Sequence, residues 1–136
     1  MTLHPAVVAE MLGAEADSVR QSLGEQVDDV ELDGTRVLIR PKSWSGRWMS
    51  LDGSEYDQRP LRLSVLDAER KPTDDWPGKL RYGSEPHPIL GEPWACIRGT
   101  YQYHAYPGHA AEAWDQFRIS IRMVRLVAHI LKKAAS

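Results

Sequence analysis

The dipeptide Asp33-Gly34 stands between two apolar runs, Val30 and Leu32 on one side and Val37, Leu38 and Ile39 on the other. Both residues tolerate positive φ, so the pair favours a tight turn whose twist suits two antiparallel strands. This feature makes neighbours of two strands, over 27–32 and 35–41. Pro41 ends the second, or marks it as a sheet edge, because it brings no N–H to a ladder. Residues 42–60 are turn-rich, with room for a short strand over 48–51 and a turn at Asp52-Gly53. Leu61, Leu63 and Val65 then alternate with Arg62 and Ser64, the period of a half-buried strand. Leu80 and Tyr82 start what reads as a fourth strand, ending before Pro86.

Helices flank this meander. Thr2 can cap the first, with Pro5 tolerated in its opening turn. Val8, Leu12, Ala16, Val19 and Leu23 recur at spacings of 4, 4, 3 and 4, one face of an amphipathic helix. Gly13 weakens it by about 1 kcal/mol relative to alanine, and Gly24 is the expected stop. Near the other end, Trp114, Phe117, Ile121, Val124, Ala128 and Leu131 recur at 3, 4, 3, 4 and 3. That spacing predicts a final helix from near Ala110, its apolar face widened by Ile119, Met123, Val127 and Ile130. Arg118, Arg122, Arg125, His129 and Lys132 form its opposite side. Such a stripe is ordinarily a solvated face, the alternative being contact with an acidic partner. Helix, antiparallel meander, long loop section and helix make an α+β pattern, with helices covering a sheet.

The 136 residues are expected to form one domain, 1–136, large enough to bury a core. A net charge of -2 gives no basic field, which argues against nucleic acid as a partner. No apolar run is long enough to span a membrane, and MTLHPAVVAEMLG lacks the basic start and apolar core of a signal peptide. One cysteine makes no intrachain disulfide, which fits a reducing cytoplasm. Trp44, Trp48, Trp76 and Trp94 are read as core beneath loops, since a single phenylalanine is present to fill space. Trp44 and Trp48 would otherwise form an exposed anchor for a partner. Asp74-Asp75, between Pro72 and Pro77, reads as a turn.

Residues 85–99, EPHPILGEPWACIRG, hold that cysteine, Cys96, nine positions after His87-Pro88. With LRLSVLDAERKPTDDWP ahead of it, the stretch resembles the ubiquitin-conjugating enzyme superfamily. That family runs from an N-terminal helix through a four-stranded antiparallel meander and a proline-rich loop to a His-Pro-Asn motif and a cysteine, then helices. The resemblance covers about residues 60–97 by motif and the remainder by element order. It matches His87-Pro88 to the family's His-Pro, Cys96 to its thioester-forming nucleophile and Trp114 to the tryptophan that follows. Ile89 stands where the family has an asparagine. The interval from His87 to Cys96 is one residue shorter, and the connection after Cys96 is longer and carries His104 and His109. The resemblance thus implies a divergent, bacterial-type transferase that carries a ubiquitin-like modifier as a thioester on Cys96, with an activating enzyme as its other partner. It implies no cofactor.

Cysteine suits such acyl carriage because it is nucleophilic near neutral pH and leaves readily. The oxyanion formed on attack needs donors. With Ile89 unable to serve, backbone N–H groups after Cys96, or His104, are the expected substitutes. Arg98 would favour the thiolate and Glu92 would oppose it. Three other readings stay open. An unpaired cysteine is often an inert, buried small hydrophobe. The chain could be a catalytically inactive relative that binds a partner through the same surface. His87, Cys96, His104 and His109 could also form a Cys-His₃ set for zinc, although they lack the short paired spacing of finger motifs.

Overall fold

A computed structural model describes residues 3–136. Among these residues the α-helices and strands run α1 (Pro5–Leu23), β1 (Val27–Asp33), β2 (Arg36–Pro41), β3 (Trp48–Asp52), β4 (Arg62–Leu66), α2 (Tyr101–Ala105) and α3 (Met123–Ala135). The strands form one antiparallel sheet in sequence order. The fold is α+β, as the hairpin and the flanking periodicities imply. No helix among the described residues is long and apolar enough to cross a membrane.

Pro5 opens α1, where its missing N–H costs nothing. His4 supplies the cap, its Nδ1 accepting from Ala6 N at 3.1 Å. Thr2 lies outside the described residues. The five apolar residues of the expected face are all buried, Gly13 leaves the helix unbroken, and Gly24 caps its end. They rest on one face of the sheet. There Val37, Leu51 and Leu63 align across three strands, beside Ile39, Met49 and Val65, each no more than 2% exposed. Met123, Leu126, Val127 and Ile130 of α3 complete this core. On the opposite face Leu38, Trp48 and Leu66 form a smaller cluster. The guanidinium of Arg70 lies 4.3 Å above the Trp48 ring and that of Arg40 lies 5.3 Å from it.

Residues 80–86 are not a strand. The strand over 62–66 is the fourth, and its free edge is already occupied. Tyr101 N donates to Leu61 O at 2.8 Å, and the Gln102 side chain bonds both backbone groups of Leu63. A strand at 80–86 cannot pair with that edge. Tyr82 N donates instead to Trp94 O at 2.7 Å, closing a loop between them.

The last helix begins at Met123, not near Ala110. Residues 107–121 fold as turns, with short 3₁₀ segments at Pro107–His109 and Trp114–Gln116. Arg122 has extended backbone, and its guanidinium reaches Glu15 at 2.7 Å and Asp57 at 2.9 Å. Glu15 also accepts from Met123 N at 3.1 Å, satisfying an N–H at the start of the helix. Trp114 and Ile121 still reach the core from these turns, so the apolar spacing runs through a break that it does not reveal. The basic stripe is broken too. Arg118 and Arg122 precede α3, and Arg122 is a bridge, not a solvated charge. Arg125, His129 and Lys132 do face solvent.

Trp44, Trp48 and Trp94 are buried, and the indole of part-buried Trp76 donates to Thr73 O at 3.0 Å. Trp44 and Trp48 are core, not an exposed anchor. Asp75 sits in a turn, its N–H on Thr73 Oγ1 and its carboxylate 2.8 Å from Arg47. Next to it the last turn of α3 lies against Gly78, where a Cβ would fall 1.8 Å from Ala134 O.

Candidate functional site

The expected catalytic histidines are both held in hydrogen bonds of their own. His87 is 1% exposed and holds its own loop together. Its Nδ1 accepts from Ile89 N and Leu90 N, each at 3.1 Å. The ring proton is therefore on Nε2, which donates to Gln102 O at 2.9 Å. Its backbone N–H donates to Glu92 O and its carbonyl accepts from Gly91 N. With both ring nitrogens engaged, His87 has none left to move a proton for Cys96. Its loop presents Ile89, 64% exposed, to solvent.

Cys96 is part-buried. Burial pushes its thiol up from the ordinary value, Lys133 draws it down and Glu112 pushes it up. The charges expected to act on it are turned elsewhere. Arg98 pairs with Glu112 at 2.6 Å, its guanidinium 4.9 Å from the Phe117 ring. Glu92 pairs with Arg62 at 2.9 Å and accepts from Gln102 Nε2.

His104 is also engaged at both nitrogens. Gly99 N donates to its Nε2 at 3.1 Å, so its Nδ1–H donates to Glu112 O at 2.7 Å. Burial lowers the His104 pKa, with the bond to Glu112 O opposing that. The Gly99 N–H, one of the backbone groups after Cys96, is thus already taken by His104. His109 donates from Nδ1 to Tyr103 O at 2.9 Å and stacks on the Tyr103 ring at 3.8 Å. Zinc binding by His87, Cys96, His104 and His109 does not follow from this placement. Among the described residues no group of three or more His, Cys, Asp or Glu is arranged to hold a metal ion.

Two features escaped the sequence reading. Glu112 is a hub: its carboxylate takes Arg98 and the Tyr103 hydroxyl at 2.8 Å, and its carbonyl takes His104. The Tyr103 bond comes first among the causes holding its carboxyl below the usual carboxylate range. The other feature is an aromatic groove of about 840 Å³ beside His87, lined by Tyr82, Glu85, Pro86, Pro88, Trp94 and Tyr106 among others. Trp94 and Tyr106 stack at 5.2 Å with 22° between planes, and Tyr82 leans on Trp94 at 5.1 Å and 55°. A more polar recess on the sheet's outer face, near Ser50, Ser64 and Trp76, measures about 480 Å³. The groove's three rings are far apart in sequence, so no local period announces them.

Compared with known proteins, the chain matches no family model and no curated protein. What the geometry offers chemically is a thiol whose expected histidine partners, His87 and His104, have both ring nitrogens engaged and a concave aromatic surface with one carboxylate in its wall.

Proposed function

We propose that the chain is a conjugating-enzyme-like module that docks a partner protein through the groove of Tyr82, Trp94 and Tyr106, without itself carrying an acyl group. The observation that carries this reading is the engagement of His87. Both ring nitrogens hold the groove's loop in place, so the histidine serves to shape a surface and not to move protons. Preformed concave apolar sites with few polar groups are the usual form of a binding site. A reducing cytoplasm suits a protein with a lone thiol.

Affinity purification of the wild type and two variants tests the reading. One partner should be retained by Cys96→Ala and lost from Tyr82→Ala. Loss with Cys96→Ala and retention by Tyr82→Ala contradicts it.

A second reading, acyl carriage on Cys96 with a ubiquitin-like modifier and an activating enzyme, is favoured by the partial exposure of the thiol and the influence of Lys133 upon it. Incubation with activating enzyme, modifier and ATP would then give a reducible adduct that Cys96→Ser prevents or converts to a stable ester. Absence of both species removes this reading.

A further inference from the structure

The sheet face turned away from α1 and α3 carries two hydroxyls that the fold leaves unused. Ser50 and Ser64 stand opposite one another on β3 and β4. Ser50 is 3% exposed, yet neither serine hydroxyl has a hydrogen-bond partner among the described residues. The side-chain atoms there that are both sealed and without a partner are Arg40 Nε, Trp44 Nε1 and Arg81 Nε. The Ser50 hydroxyl is not one of them, so it opens on the recess of about 480 Å³ that both serines line. That volume lies within the roughly 300–1,000 Å³ of small-molecule sites. A hydroxyl kept at this depth is satisfied by whatever fills the recess.

The rest of the lining selects what that is. Across the sheet Asp52 stands between Arg36 and Arg62. Arg36 is turned to Asp33 at 3.0 Å and Arg62 to Glu92 at 2.9 Å, so both guanidiniums are already paired. An anion would meet the carboxylates of Asp52 and Asp74, which make no ion pair among the described residues, and like charges brought together cost free energy. An ammonium group only donates, so it leaves the serine protons without an acceptor. An apolar ligand leaves both hydroxyls without any partner. A hydroxyl-bearing ligand both donates and accepts, as this mixed lining requires. To one side the Trp76 indole has spent its N–H on Thr73 O and has only apolar surface left to offer. A sugar ring meets both demands, with hydroxyls round its edge and C–H groups on its face.

We propose that this recess binds a neutral pyranose, its hydroxyls on Ser50, Ser64 and Asp52 and its C–H face on Trp76. The site shares no lining residue with the aromatic groove and does not depend on docking there. Titration of the ¹⁵N-labelled full chain with glucose, galactose, mannose, N-acetylglucosamine, maltose and lactose tests it, with cyclohexanol, citrate and lysine amide as controls. At least one sugar should give saturable shifts at the Trp76 indole and at the amides of Ser50 and Ser64, and should bind more tightly than every control. Ser50→Ala should weaken that sugar about fivefold, the worth of one hydrogen bond. It should not lower the thermal midpoint of the free protein, because the hydroxyl removed has no protein partner. Ser64→Ala should act the same way. Absence of shifts with every sugar overturns the proposal, as do shifts centred elsewhere or tighter binding of a control. Unchanged sugar affinity in both serine variants also overturns it, and so does a lowered midpoint in Ser50→Ala, which would make that hydroxyl structural.

Discussion

Gln102 stands in for a neighbouring strand at Leu63. Its side-chain Oε1 accepts from Leu63 N at 3.2 Å, and its Nε2 donates to Leu63 O at 2.6 Å. A primary amide has the donor and acceptor of a peptide group, so one side chain satisfies both backbone groups on an edge that would otherwise invite pairing. Its own carbonyl takes the Nε2 proton of His87. A single buried residue therefore closes the sheet and fixes the loop that forms the groove.

Replacing Gln102 with alanine should leave two buried backbone groups of Leu63 without partners. Each such group costs about 1–3 kcal/mol. A loss of about 3 kcal/mol in urea unfolding is expected, with faster amide exchange at Leu63. Unchanged exchange there would mean that water or another group replaces the amide without cost.

His104 should make the fold acid-sensitive. Burial lowers its pKa, and its Nε2 must stay unprotonated to accept from Gly99 N. The unfolded chain takes up a proton near pH 6.5 that the folded chain still refuses. This contribution to stability is therefore complete above about pH 6.5 and is lost as pH falls from there through the lowered folded value. Unfolding free energy measured across that window should fall on acidification, and His104→Gln should reduce the slope. An identical slope in the variant would place the sensitivity elsewhere.

Cys96 should be a slow nucleophile. The pH at half-maximal alkylation rate is expected above the ordinary thiol value of about 8.5, because burial dominates its surroundings. Lys133→Ala should move that midpoint higher, since Lys133 favours the thiolate. A midpoint near neutrality would instead favour the acyl-carrier reading.

Arg122 joins α1, the turn after β3 and the start of α3. Its guanidinium meets Glu15 and Asp57 and lies 5.1 Å from the Tyr56 ring. Burial, followed by the charge of Glu15, pushes the Tyr56 hydroxyl far up, so the phenol remains protonated. Arg122→Ala would leave two part-buried carboxylates facing one another without their cation. A loss of about 2 kcal/mol is expected, which is less than for a fully buried pair because the arginine is partly solvated. Arg122→Lys should recover only part of it, since a point charge cannot fork between two carboxylates. Stability equal to wild type in Arg122→Ala would count against the bridge.

The parts legible in the sequence are those whose cause is local. Asp33-Gly34 needs only its own φ values to turn the chain, and the face of α1 needs only its spacing. The strand at 62–66 shows in alternation alone. The start of α3 was illegible because its cause is Glu15, more than a hundred positions earlier, while the apolar spacing continues through the turns before it. Tyr82 read as a strand because nothing nearby shows that Gln102 and Tyr101 already occupy the edge. His87 and Cys96 share a short stretch, yet each answers to residues outside it: Gln102 for one, Lys133 and Glu112 for the other. Tyr106 and Trp94 make a groove only once α2 has turned the chain back. Site geometry depended on such long-range contacts, so the expected residues could be named but not placed together.

The place where a partner touches this molecule separates docking at the groove from chemistry at Cys96. Amide and indole resonances of the ¹⁵N-labelled chain, followed as the partner recovered by affinity purification is added, report that most directly. The largest shifts are predicted at the Trp94 indole, at Tyr82 and Tyr106, and along residues 83–91, with little change at Cys96 or Lys133. Shifts centred on Cys96 and Lys133, with the Trp94 indole unmoved, would contradict it.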